Sequence, residues 1–133
     1  MRRVFVDTSA FYAALVGTDM HHRTARAALE EALDDSETRL VTTNLVMLET
    51  MALLQARVGL DAALEFDAAI RPLLEVTWVD AVLYDRAVGR LKLRRSRRVS
   101  LVDCASFVFM EAEGIGHALA IDKHFEDEGF VLL

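Results

Sequence analysis

Two rhythms of apolar and polar positions run along the chain. Val4-Phe5-Val6 is a short β-branched and aromatic run, too brief for a helix and uninterrupted by polar residues, as in a strand buried on both faces. Asp7-Thr8-Ser9 follows as a turn, and the apolar stretch from Ala10 to Val16 as a helix. Ala25, Ala28, Leu29, Ala32 and Leu33 then recur at three- and four-residue steps, which predicts a second helix capped by Asp19 and running to about Asp34. Arg39 to Thr42 reads as a strand, Asn44 to Val58 as a helix ended by Gly59, Asp61 to Glu75 as a helix with Pro72 near its end, and Val76 to Val79 as a strand. Asp80 to about Arg94 and Ser100 to Glu113 read as helices, the latter stopped by Gly114. Ala118 to Ile121 reads as a buried strand ending at Asp122, and Phe130 to Leu133 as a last strand. Strands alternating with helices of ten or more residues predict an α/β domain of Rossmann-like layout, a parallel sheet covered on both faces.

Composition narrows this to one domain over residues 1–133. The 133 residues are 53% hydrophobic and 27% charged, with one Pro and six Gly, which excludes a disordered or collagen-like chain and leaves enough apolar surface for a core without staples. Cys104 is the only cysteine, so neither an internal disulfide nor a thiolate zinc site is available, and a reducing cytoplasm is the expected setting. Arg2 and Arg3 look like the start of a signal peptide, but Asp7 interrupts the apolar stretch behind them, and Ala10 to Gly17 is too short for a bilayer. The glycines match neither the dinucleotide-binding nor the P-loop spacing, so a nucleotide cofactor has no support.

Net charge is −6, from 15 Lys+Arg against 21 Asp+Glu, which argues against a protein that simply coats nucleic acid. The distribution changes the picture. Six basic residues, Arg90, Lys92, Arg94, Arg95, Arg97 and Arg98, stand together with no acid among them. They suit contact with RNA phosphates, although Lys and Arg also favour a helix C-terminus through its dipole.

Four acids stand where chemistry is expected. Ligands of open parallel sheets gather beyond the carboxyl ends of the strands, and there Asp7 follows the first strand and Asp122 the fourth. Glu49 lies within Leu45-Val46-Met47-Leu48-Glu49-Thr50-Met51-Ala52-Leu53-Leu54, apolar on nearly every face, where a charge is expensive unless paired or metal-bound. Asp103 shares a helical stripe with Phe107 and Met110. Each has a plainer explanation. Asp7 and Asp122 suit turns after strands, Glu49 could meet an arginine, and Ser100-x-x-Asp103 matches a capping box. Gathered at one rim, however, four carboxylates would repel by about 4 kcal/mol for each close pair at an effective dielectric near 20. Divalent cations would relieve this. Oxygen-only ligation selects Mg²⁺ or Mn²⁺ over zinc, and two such ions suit phosphodiester hydrolysis.

In order along the chain, Val4-Phe5-Val6-Asp7-Thr8-Ser9-Ala10-Phe11-Tyr12, Thr42-Thr43-Asn44-Leu45-Val46-Met47-Leu48-Glu49-Thr50, Ser100-Leu101-Val102-Asp103-Cys104-Ala105-Ser106-Phe107 and Ala120-Ile121-Asp122-Lys123-His124-Phe125 resemble the PIN domain, in particular the VapC-like toxin ribonucleases. The resemblance implies a three-layer α/β/α fold with a central, mostly parallel sheet, and Mg²⁺- or Mn²⁺-dependent cleavage of RNA. It further implies a homodimer restrained by a small antitoxin. By motif, Asp7, Glu49, Asp103 and Asp122 would be catalytic and bind metal, with Thr8 or Ser9 as polar helper and Asn44 near the site. Arg94, Arg95, Arg97 and Arg98 are the expected RNA contacts. One position departs from the pattern: many PIN domains carry Thr or Ser two residues before the last acid, where this chain has Ala120.

Two other readings compete. Asp7 as a phosphate-accepting nucleophile would suit an aspartate-based phosphatase, but such enzymes usually carry a second Asp two residues on, where Ser9 stands. A PIN-fold module that binds metal or RNA without cleaving it is the other. The four histidines share no ligand spacing beyond the adjacent His21 and His22, which favours solvated or hydrogen-bonded roles. Cys104 reads as a core thiol, and Met47, Met51, Phe107, Phe109 and Met110 as core or dimer interface.

Overall fold

The computed structural model describes residues 1–133. Five strands form one sheet in the order β3-β2-β1-β4-β5, namely β1 (Arg2–Val6), β2 (Thr38–Thr43), β3 (Glu75–Thr77), β4 (His117–Leu119) and β5 (Val131–Leu132). Every pairing is parallel, with Phe5 opposite Val41 on one side and Ala118 on the other. The chain builds outward from β1 to β3, then returns to place β4 on the other flank of β1. A crevice therefore opens between β1 and β4 at their carboxyl ends, the switch point of this sheet order.

Seven helices connect the strands: α1 (Thr8–Leu15), α2 (His22–Asp34), α3 (Asn44–Arg57), α4 (Leu60–Glu65), α5 (Ala81–Arg94), α6 (Leu101–Glu113) and α7 (His124–Asp127). Helix α1 packs on both α2 and α3, and α3 on α4, while α5 packs on α6, giving the expected three layers. Side-chain alternation along β1 serves both faces. Phe5 meets Phe109 and Phe125, and Phe107 joins Phe125 and Phe130. Elsewhere in the core Phe11 stands edge-on to Phe66.

Several expectations are corrected. Helix α2 begins at His22 rather than after Asp19, whose side chain instead accepts from the His21 N–H. The helix expected over 61–75 breaks into α4, a π-helical turn at Phe66–Ile70 and a 3₁₀ turn at Arg71–Leu73. Pro72 explains the break, since it cannot donate to the helical ladder and its ring clashes with the carbonyl four residues back. β4 stops at Leu119, because its partner β1 ends in the Val6–Leu119 pairing and leaves nothing to bond a longer strand. Asp122 consequently lies in a bend beyond the strand rather than at its end, and the short α7 follows. α3 is not enclosed on every face: Leu48 is 70% exposed and Glu49 half-buried.

Candidate active site

A cavity of about 400 Å³ occupies the crevice at the switch point, and Asp7, Glu49, Asp103 and Asp122 all line it. Each arrives on a different segment. Asp7 is the N-cap of α1, Glu49 sits one turn into α3, Asp103 belongs to the first turn of α6, and Asp122 to the bend after β4.

Asp7 is fixed most firmly. Its Oδ2 accepts the Ser9 backbone N–H at 3.1 Å and the Ser9 hydroxyl at 2.7 Å. Its Oδ1 is buried with no hydrogen-bond partner, and a buried acceptor left unpaired is expensive. Burial pushes the carboxyl up to about 6; the Ser9 bonds oppose the shift, and the negative charges of Asp103 and Glu49 add to it.

The Ser9 hydroxyl has a second task, accepting the Ile121 N–H at 3.0 Å. This one side chain ties the loop bearing Asp122 to the carboxylate of Asp7, so the loop is anchored although Ala120 offers no hydroxyl. Thr8, the alternative helper, also lines the cavity, but its hydroxyl donates to the Val46 carbonyl and accepts from Thr50 rather than meeting an acid. Asn44 does not join the acids. Its side-chain oxygen accepts the Val79 N–H at 2.7 Å, and it borders a separate groove with Met47, Leu48, Met51 and Trp78.

For Asp103 the two explanations coexist. Its Oδ2 accepts the Ser100 N–H while the Ser100 hydroxyl accepts the Asp103 N–H, a complete capping box, yet the residue is buried and lines the cavity. Desolvation raises its pKa, against the Ser100 bond and the His124 charge, with Asp122 adding to the rise. Asp122 itself is exposed and faces His124 Nε2 at 3.4 Å.

As the side chains stand, no three of these acids are close enough together to hold one ion. The donor set nonetheless suits a hard cation. Asp7 points an unpaired buried oxygen, the negative charges of Asp103 and Glu49 both bear on it, and Asp122 is exposed enough to change rotamer at little cost. The cations lining the cavity are Arg57 and Arg98.

The basic run divides in two. Arg90 pairs with Glu111 and Glu128 and lies over the Phe107 ring, and Arg94 pairs with Glu128. Arg95 ends α5 in the left-handed conformation, and both it and Arg97 are exposed. Of the four arginines expected at RNA, only Arg98 lines the cavity.

Tyr12, Asp19, His21 and Arg57 also line the cavity; in the sequence Asp19 reads as a helix cap and His21 as a solvated or hydrogen-bonded histidine, and neither Tyr12 nor Arg57 has a role of its own. One signal was present: Glu49, Leu53 and Arg57 follow each other at four-residue steps, so they share a helix face, and all three border the cavity.

The fold and the acid-lined crevice define a class, and comparison with known proteins agrees: the PIN domain family model matches residues 4–130. The chain belongs to the PIN domain family. Among solved structures it is similar to VapC20 of Mycobacterium tuberculosis, a sarcin-ricin loop cleaving toxin, with 36% identity, 96% of each chain covered and a TM-score of 0.85. VapBC2 from Rickettsia felis, bound to a DNA fragment from its promoter, matches at 12% identity over 98% of this chain and 97% of that one, TM-score 0.71. FitAcB from Neisseria gonorrhoeae matches at 13% over 98% and 96%, TM-score 0.69. These last two share the fold. No curated protein sequence matches the chain. No helix is long and apolar enough to cross a membrane.

Proposed function

We propose that this protein is an Mg²⁺- or Mn²⁺-dependent endoribonuclease that cleaves RNA phosphodiesters, and that it is the toxin of a toxin–antitoxin pair. The observation that carries the catalytic part is the convergence of four carboxylates from four separate segments on one cavity, with one buried oxygen of Asp7 unpaired. Asp7, Glu49, Asp103 and Asp122 would hold the cation. Bound there, it would supply Lewis acidity, activating water and offsetting charge on the phosphate oxygens. Ser9 keeps Asp7 aimed and anchors the Asp122 loop. The Ser100 capping box holds Asp103, and Arg98, exposed at the rim, would steer the phosphate backbone, with Arg95 and Arg97 adding to the local field.

The toxin part rests on the 36% identity to VapC20, itself a toxin. A small antitoxin and a second copy of the chain are the protein partners of this proposal. An apolar groove of about 230 Å³, bordered by Met47, Leu48, Met51, Val76 and Trp78, supports a protein interface, since Leu48 and Trp78 are each about 70% exposed. Cytoplasmic placement follows from the same reading.

Purified protein incubated with labelled RNA in Mn²⁺, Mg²⁺ and EDTA tests the catalytic claim. Internal cleavage in either metal, absent in EDTA and in Asp7→Asn, is expected. Cleavage that survives EDTA, or a phosphorylated Asp7 trapped from a phosphomonoester, overturns it.

A further inference from the structure

We propose that Tyr12 and Arg57 form a nucleotide subsite beside the four acids, in which Arg57 takes a backbone phosphate and the Tyr12 ring takes an unpaired base of the same RNA strand. This rests on the endoribonuclease reading and deepens it. Tyr12 stands one turn beyond Thr8 on α1, and Arg57 two turns beyond Glu49 on α3, roughly 12 Å along that helix. The two helices pack against each other, which brings the Arg57 guanidinium 5.3 Å from the centre of the Tyr12 ring, and both residues line the cavity.

Arg57 has no structural employment that explains this. Arg90 and Arg94 are held by Glu111 and Glu128, whereas Arg57 engages no carboxylate and rests on the ring. Its place in the last turn of α3 satisfies the helix dipole, but the dipole does not require contact with an aromatic side chain on another helix. Arg57 is exposed and the Tyr12 ring only half-buried, so the cation is held weakly there, and a phosphate offers the guanidinium two charge-assisted bonds. A strand entering the cavity can therefore draw Arg57 from the ring onto its backbone, freeing that face of Tyr12 for the adjoining base. Aromatic platforms accept any base and require it unstacked, so the subsite selects single-stranded or looped RNA over duplex. At the distance of Arg57 from Glu49, the contacts fall on nucleotides flanking the one at the acids. Arg98, contributed by the α5–α6 loop and likewise unpaired with any carboxylate, is a second cation at the same cavity.

The test uses the full chain and a fluorescent single-stranded RNA carrying one base-free nucleotide, moved through successive positions. Binding is read by anisotropy in EDTA, and cleavage in Mn²⁺ supplies KM and kcat. Wild type is expected to lose about tenfold in affinity when the base-free nucleotide occupies one flanking position. Tyr12→Leu should lose as much on intact RNA, mainly in KM, and nothing further on RNA base-free at that position, while Tyr12→Phe behaves as wild type. Arg57→Gln should lower the slope of log affinity against log salt by about one. A scan with no sensitive position, equal losses by Tyr12→Leu on every RNA, or an unchanged salt slope in Arg57→Gln overturns the subsite while leaving the nuclease intact. Should Tyr12→Leu fail to fold, the wild-type scan and Arg57→Gln still decide. Failure of wild type to bind or cleave any RNA overturns the nuclease reading and the subsite with it.

Discussion

Asp7→Asn removes a charge from the most buried carboxylate of the cavity while preserving its shape. In the folded protein Asp7 titrates at about 6 instead of 3.8, so the ionised form is disfavoured by about 3 kcal/mol at 1.36 kcal/mol for each pH unit. The sign follows from linkage. A carboxyl whose pKa rises on folding binds its proton more tightly in the native state, so its penalty is complete above pH 6 and fades as pH falls through 6 towards 3.8. Asn keeps an oxygen for the Ser9 N–H and hydroxyl, as an N-cap should, but puts an amide where Asp7 Oδ1 now has no partner, a cost of about 1 kcal/mol. The metal-free variant is therefore expected to be about 2 kcal/mol more stable than wild type at pH 8, a Tm higher by roughly 6 °C for a domain of this size. The advantage should vanish by about pH 4.5, where the penalty has fallen to roughly 1 kcal/mol. Thermal melts in EDTA at both pH values, repeated with Mn²⁺, measure this. With Mn²⁺ wild type should rise and the variant respond less, since ligand stabilisation scales as RT ln(1 + [L]/Kd). A variant that melts below wild type at pH 8, or a gap independent of pH, would refute the account of Asp7 as a desolvated charge awaiting a cation.

The remaining expectations use the same assay or a simple variant of it. Ser100→Ala should lower Tm through loss of about 1 kcal/mol of capping without changing the Mn²⁺ response, whereas Asp103→Asn should blunt that response. Equal metal shifts in the two would assign Asp103 to the cap alone. Glu128→Gln breaks the contacts to Arg90 and Arg94, and should cost about 1–2 kcal/mol, less than for a fully enclosed pair. These contacts hold the Glu128 carboxyl below its ordinary value despite burial, so their contribution is complete above pH 4.5 and is lost progressively as pH falls through the lowered value; in urea titrations the gap between wild type and variant should be smaller at pH 3.5 than at pH 7. Gly114→Ala places a side chain at φ +67° and should cost about 1 kcal/mol, read as a lower urea midpoint with unchanged slope. Replacing Arg94, Arg95, Arg97 and Arg98 by Gln one at a time should lower the salt slope of RNA binding most for Arg98, because Arg94 is already engaged by Glu128.

Much of the fold was legible locally. Burial on both faces makes parallel strands continuous apolar runs, so Val4–Val6 and the layout of alternating helices were visible in the sequence, as were the Ser100 capping box and the Gly114 stop. The misplaced boundaries are those set by partners distant in sequence. Leu119 ends β4 because β1 ends at Val6, 113 residues earlier. Glu49 reads as enclosed because its neighbours are apolar, yet some of that apolar surface faces outward around Leu48 and Trp78.

The four acids followed the same division. Their positions on strand ends and helix starts, and the order of their motifs, are properties of the chain itself, since capping, periodicity and turn chemistry act over a few residues. Their gathering at one crevice, the double use of the Ser9 hydroxyl by Asp7 and Ile121, the dual part of Asp103, and the engagement of Arg94 by Glu128 exist only once the sheet closes. Each depends on groups tens of residues apart meeting within hydrogen-bond distance, and on water being excluded where Asp7 lies. Sequence spacing specifies which face a side chain takes; the partner it finds there, and the desolvation that sets its charge, belong to the tertiary packing.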